Sequence, residues 1–199
     1  MPRLSSAAGK KGAKPICAVF LVGFMGCGKT SVGRALAKRL NWVFEDLDLR
    51  IEEQEGCTIA EIFEHSGEPA FRQIENRALF QLLKMLPDRS GMVVALGGGA
   101  FAHEMNRNRL KRSNLLTIFL DAPVKVLWER CSKQMKEIGM ERPLLRSIEG
   151  FRRLYQLRQR SYSQAALTVS TAGCTVEEIA NRIHRSLVRK KIVTEGEVE

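Results

Sequence analysis

Short apolar runs alternate along this chain with longer stretches in which apolar positions recur every three or four residues. The first pattern predicts strands buried on both faces, the second predicts helices with one buried stripe, and their alternation predicts a parallel α/β sheet. Strands are expected over 16–22, 42–47, 92–96, 115–120 and 167–170, and helices over 29–40, 58–65, 68–86, 103–112, 124–133, 148–164 and 175–190. Thr58 with Glu61 and Thr175 with Glu178 have the spacing of capping boxes at helix starts. Gly91 and Asn114 stand just before strands, where turn residues belong. The stretch 134–146 has little apolar periodicity and contains a Gly and a Pro, which predicts a mobile loop of lid length. The expected organisation is a disordered basic leader at 1–15, a single domain over 16–190 with that lid inside it, and a flexible tail at 191–199.

Composition narrows the function classes. With 199 residues, 44% apolar and 27% charged, the chain has the make-up of an ordinary globular domain. No apolar run approaches the roughly 20 residues that span a bilayer, and the leader lacks the apolar segment of a secretory signal. Five cysteines, an odd number with no C-x-x-C pair among them, argue against a disulfide framework or a zinc site and for a reducing, cytoplasmic setting. The net charge of +10 raises nucleic acid as a partner. However, the excess falls in the two tails and in separate stretches at 107–112 and 130–160. A site for polyphosphate and carboxylate collects basic residues as well. The expectation is therefore a monomer without nucleic-acid or membrane partners.

The sharpest signal is Gly23-Phe24-Met25-Gly26-Cys27-Gly28-Lys29-Thr30, a G-x-x-x-x-G-K-T loop between an apolar strand and an amphipathic helix. Glycines let the backbone wrap a phosphate and turn its N–H groups inward, and the helix N-terminus adds positive potential. Gly26, Cys27, Gly28, Lys29, Thr30 and Ser31 are the expected ATP cradle. Lys29 reaches the β- and γ-phosphates, and the Thr30 hydroxyl is placed for Mg²⁺. There is no N-K-x-D guanine motif, and the third strand ends in Gly97, Gly98 and Gly99 rather than in an acid. Small-molecule kinases lead on those grounds.

Further residues suggest an acceptor site. Asp46 and Asp48 close the second strand, where residues two apart share a side and where ligands of open α/β sheets bind. They suit magnesium through its water shell and a hydrogen bond from an attacking hydroxyl, or else form an ordinary acidic turn into a helix. Arg72 and Glu75 are three apart on a helix, either a surface ion pair or a guanidinium braced to meet a carboxylate. Gly97 to Gly99 form a flexible turn or bring backbone close to a ligand. Arg142 in the lid is suited to close over transferring charge.

Taken together these residues resemble the shikimate kinase family. The motifs are GFMGCGKT, the D-x-D of Asp46 and Asp48, F-R-x-x-E at Phe71 to Glu75, LGGGA at Leu96 to Ala100, RPLL at Arg142 to Leu145, and R-x-x-x-Y at Arg158 to Tyr162. The resemblance runs from about Cys17 to Leu187. It implies a three-layer P-loop kinase fold with sheet order 2-3-1-4-5, and Mg-ATP-dependent phosphorylation of the shikimate 3-hydroxyl on the route to chorismate and the aromatic amino acids. It also implies that Asp48 binds the hydroxyls and acts as base, and that Arg72 and Arg158 hold the carboxylate with Gly98 against the ring. Arg142 would touch ATP, Arg130 would pack on adenine, Thr30 would ligate magnesium, and Asp46 would be its outer-shell partner. Three departures stand out: a longer stretch between Arg130 and Arg142, Gln164 where the family often has Glu, and Arg160 where Pro is common. The rival readings are a gluconate or nucleotide kinase and a non-catalytic ATP-responsive module.

Overall fold

A computed structural model describes residues 18–86, 91–113, 115–138 and 147–193. Five parallel strands, β1 (Ala18–Val22), β2 (Val43–Asp46), β3 (Met92–Ala95), β4 (Leu116–Asp121) and β5 (Leu167–Ser170), form one sheet in the order β2-β3-β1-β4-β5. The three inner strands bury nearly every side chain, as all-apolar runs require. The edges are half-exposed, with Val43 and Phe44 on one side and alternating burial along β5 on the other.

Register explains where a site forms. Asp46 pairs with Ala95 and Leu21 pairs with Ala95, and the Leu96 amide donates to the Leu21 carbonyl at 3.0 Å. The carboxyl ends of β2, β3 and β1 therefore finish level. The glycine loop after β1, the acids after β2 and the glycine turn after β3 open onto one crevice, the usual ligand position in such sheets.

Seven helices are described: α1 (Lys29–Leu40), α2 (Leu47–Glu55), α3 (Ile59–Met85), α4 (Glu104–Arg112), α5 (Val124–Ile138), α6 (Ile148–Tyr162) and α7 (Val176–Arg189). Both expected capping boxes form, at Thr58–Glu61 and Thr175–Glu178. The two helices expected across 58–86 run together as α3, broken at Gly67 (φ 75°, ψ 174°), ahead of Pro69, which cannot continue a regular helix. None of the described helices is long and apolar enough to cross a membrane.

Four expectations change. The stretch 47–55, given no helix by periodicity, forms α2, capped by the Asp46 carboxylate on the Asp48 amide at 3.1 Å. The second strand ends at Asp46, so Asp46 and Asp48 share a site through an N-cap and a first turn, not through strand alternation. Residues 134–138, expected in a loop, are helical, because α5 continues to Ile138 along an apolar stripe that includes Cys131 and Met135, and the rest of the expected lid, 139–146, lies outside the described residues. At the other end, Ile192 and Val193 pack on the core and the Ile192 amide closes onto the Leu187 carbonyl, so packing continues past Lys190. Asn114 and Arg142 lie outside the described residues, as do Ile16 and Cys17 of the first expected strand.

Candidate active site

The glycine loop is shaped by close approach. Gly26 has φ +78°, and a Cβ there would stand 2.8 Å from the Leu127 carbonyl and 2.7 Å from the Cys131 sulfur. Only glycine fits both the conformation and the space. Gly28, also left-handed, is the N-cap of α1 and gives it no side-chain hydrogen bond, and the first turn carries no acid. The orphan amides and the positive end of the helix are thus left for an anion. The Lys29 ammonium donates to the carbonyls of Gly23 (3.0 Å) and Phe24 (3.2 Å), which holds its charge at the mouth of the loop. The Cys27 thiol is buried 3.9 Å from the Lys29 ammonium, and burial pushes its pKa up despite that nearby charge.

Next to the loop, the Thr30 hydroxyl donates to the Asp46 carboxylate at 2.7 Å. The bond leaves the hydroxyl oxygen's lone pairs free, with an acid immediately behind them. Among the described residues no group of three His, Cys, Asp or Glu side chains is placed to hold a metal. A lone hydroxyl backed by one carboxylate fits Mg²⁺, which keeps several waters and leans on substrate phosphate rather than on a protein cage.

Asp48 stands where the loop and the rest of the crevice meet. Burial, above all, raises its pKa to about 6, with Asp46, Glu75 and Glu52 adding to the rise and the Lys29 charge opposing it. Gly97 makes room for this acid. A Cβ there would overlap the Asp48 carboxylate and come within 3.0 Å of Glu75 Oε1.

On the far side, the guanidinium of Arg72 donates to Glu75 at 2.9 Å and, through Nε and Nη2, to Glu68 at 3.2 and 2.9 Å. Glu75 is 1% exposed, and its burial pushes its pKa up although Arg72 pulls the other way. Its second oxygen, Oε1, has no hydrogen-bond partner among the described residues. Arg158 reaches in from α6, 5.9 Å from the Phe24 ring centre and close to Gly98. The Tyr162 hydroxyl donates to the Gly98 carbonyl, which ties α6 to the glycine turn. Between α3 and that turn lies a cavity of about 530 Å³ bordered by Arg72, Arg158, Gly99 and His103.

The crevice gathers Lys29, Thr30, Asp46, Asp48, Arg72, Glu75, Gly97 to Gly99 and Arg158 from five separate segments. Arg130 lies at its edge. Its guanidinium donates to the Thr171 hydroxyl (3.0 Å) and carbonyl (2.8 Å) and leans on the Gly26 carbonyl at 3.4 Å. The Ser31 side chain is exposed. Sequence reasoning missed several supporting residues. Phe24 packs edge-on against Phe151 and Tyr155 beneath Arg158. Arg107 bonds the carbonyls of Phe101 and Ala102 and the Ser161 hydroxyl. Glu68 sits four residues before Arg72; that helical spacing was the one available signal.

A strand, a phosphate-type glycine loop and a helix at the centre of a 2-3-1-4-5 parallel sheet, with acids and guanidiniums across the crevice, define a P-loop kinase. The family model described as shikimate kinase matches residues 25–188. The chain belongs to the shikimate kinase family. It is 42% identical over 180 residues to the shikimate kinase of Cereibacter sphaeroides, covering 89% of this chain and 85% of that one. Among solved structures, shikimate kinase from Acinetobacter baumannii in complex with shikimate superposes with a TM-score of 0.78 at 34% identity, over 89% of this chain and 96% of that one. The Aquifex aeolicus enzyme gives 0.74 at 34% identity, over 87% and 98%.

Proposed function

We propose that this chain transfers the γ-phosphoryl group of ATP to the 3-hydroxyl of shikimate, giving shikimate 3-phosphate and ADP. The observation that carries the reading is the position of Asp48, a half-buried acid with a raised pKa between the phosphate loop and the Arg72–Arg158 pocket. Family membership favours shikimate over gluconate or a nucleotide as the acceptor.

Phosphoryl transfer passes through a loose transition state, so the residues mainly position groups and spread charge. Amides of Gly26 to Ser31 hold the β- and γ-phosphates. The Lys29 ammonium moves from the Gly23 and Phe24 carbonyls onto phosphate oxygens. Arg72 and Arg158 grip the shikimate carboxylate, Glu75 braces Arg72, and Gly97 to Gly99 lie along the ring. This clamp fixes the reach and register of the attacking hydroxyl. Asp48 accepts the hydroxyl proton as the new O–P bond forms and the bond from the γ-phosphorus to the bridging oxygen breaks, leaving the electron pair on ADP. A carboxylate with a pKa near 6 is ionised at neutral pH, yet more basic than an ordinary one, which suits the task. Magnesium, when bound with ATP, neutralises charge on the phosphate oxygens; Thr30 would hold it directly and Asp46 through water. From the resemblance, Arg142 closes on ATP and Arg130 packs on adenine.

A coupled ADP-release assay tests the reading with shikimate, quinate, gluconate and nucleoside monophosphates in turn. Turnover well above the ATPase background is expected with shikimate. A better rate with any other acceptor, or none with shikimate, would overturn it.

A further inference from the structure

Arg72 already carries two carboxylates, and the two are unlike. Glu75 takes Nη1 at 2.9 Å from a buried position, 1% exposed, fixed against Gly97. Glu68 takes the Nε/Nη2 edge at 3.2 and 2.9 Å from a position 62% exposed. That edge is one of the two on which a guanidinium receives an incoming carboxylate through parallel hydrogen bonds. The other edge includes Nη1, which faces buried Glu75. Both Glu68 and Arg72 border the cavity in which Arg158 stands.

Charge accounting leads to the same place. With Asp48 balanced by the Lys29 charge beside it, Arg72 and Arg158 bring two positive charges to the pocket and Glu68 and Glu75 two negative ones, so an acid meets no net attraction while Glu68 stays on the fork. Once Glu68 swings to solvent, one positive charge remains for one carboxylate. An exposed i,i+4 ion pair is weak enough to yield to a ligand held at several other points. Glu68 occupies the first turn after the Gly67 break, so its side chain can leave the fork without moving α3.

We propose that Glu68 is an intramolecular competitor for the acceptor's carboxylate: it occupies the Arg72 fork, is displaced by the bound acid, and excludes small anions that make no further contacts. It rests on the reading of Arg72 as part of the acceptor clamp. Glu68 is in this sense a specificity residue, since competition discriminates against ligands whose whole affinity is one ion pair.

Three variants, Glu68→Gln, Glu68→Ala and Arg72→Ala, test it by steady-state kinetics with shikimate at low and high salt, and with inorganic phosphate as a competing anion. Loss of the competitor should lower KM for shikimate by roughly two- to fivefold at low salt, with a smaller gain at high salt. Inhibition by phosphate against shikimate should strengthen by a similar factor, and KM for ATP should not move. In a crystal of the shikimate complex, the Glu68 carboxylate should lie more than about 4 Å from Arg72 Nε and Nη2. An unmoved or raised shikimate KM in both Glu68 variants, with Arg72→Ala impaired, overturns the proposal alone, as does a persisting Glu68–Arg72 contact in the complex. A normal shikimate KM in Arg72→Ala removes the clamp and this proposal with it, while leaving the phosphate loop reading intact.

Discussion

In the proposed phosphate cradle most anion-binding groups belong to the backbone, with the Lys29 ammonium beside them, whereas in the proposed acceptor pocket they are side chains drawn from α2, α3 and α6 around the glycine turn after β3. The cradle is one continuous segment, and its shape follows from glycines at positive φ, with Gly23 pressed against Leu120 and Cys27 and Gly26 against Leu127 and Cys131. Its donors are amides whose direction the chain itself fixes. The pocket is built of carboxylates and guanidiniums that could turn elsewhere, and neighbours hold it in shape: Glu75 braces Arg72, Tyr162 ties the Gly98 carbonyl, and Arg107 bonds the Phe101 carbonyl just past the turn. A common phosphate can be held by a geometry fixed once. A particular acid needs side chains whose positions depend on distant packing, and that dependence makes the pocket both selective and easier to disturb.

The largest break in this comparison comes where the two regions meet. Asp48→Asn keeps the shape of the side chain and removes the proposed proton acceptor. The expected loss in kcat is about 10²- to 10⁴-fold, the range for a positioned general base. ATP affinity, measured by calorimetry, should remain within about twofold, because the cradle amides and Lys29 are untouched. Near-normal turnover would remove Asp48 from the proton transfer.

The same contrast explains what could be read from the sequence alone. The cradle was legible because loop, strand and helix are adjacent in sequence and each carries its own signal, from the apolar run of β1 to the capping Gly28. The sheet order followed from the family resemblance, and the strands themselves from short, mainly apolar runs. What escaped was α2, since LDLRIEEQE buries only Leu47 and Ile51 and shows little stripe. Its start is set by the Asp46 cap, and an acid at a cap looks the same in sequence as an acid at a strand end. Phe24 and Arg107 escaped for another reason. Their partners lie in other elements, and a single phenylalanine or arginine says nothing about which distant ring or carbonyl it will meet.

Two glycine substitutions sharpen the division. Gly26→Ala forces a side chain into a left-handed backbone, at about 1–2 kcal/mol, and against the backbone of α5. It should weaken ATP binding by roughly tenfold or more while shikimate binding, followed by calorimetry, changes little. Gly97→Ala strains no backbone. Its Cβ instead displaces the carboxylates of Asp48 and Glu75. KM for shikimate should rise by about tenfold, with ATP affinity near normal. Equal effects of each substitution on both ligands would mean that the two regions move as one unit and that the contrast drawn above is false.

The smallest effect concerns stability. Asp48 has a pKa of about 6 in the folded chain against 3.8 for an ordinary aspartate carboxyl, chiefly through burial. The folded state therefore binds this proton more tightly than the unfolded state does. Its contribution is fully present below pH 3.8 and is lost as pH rises towards about 6, after which it stays lost. A shift of that size corresponds to at most about 3 kcal/mol, and the partial exposure of the side chain reduces it to about 1–2 kcal/mol. Asn carries no charge to desolvate. Asp48→Asn should thus melt about 2–8 °C above the parent at pH 8, with the gap shrinking towards zero near pH 4. Reversal of that trend, with the variant gaining more at pH 4 than at pH 8, would show that Asp46, Glu75 and burial do not strain the Asp48 carboxylate, and that its placement in the crevice carries no cost to the fold.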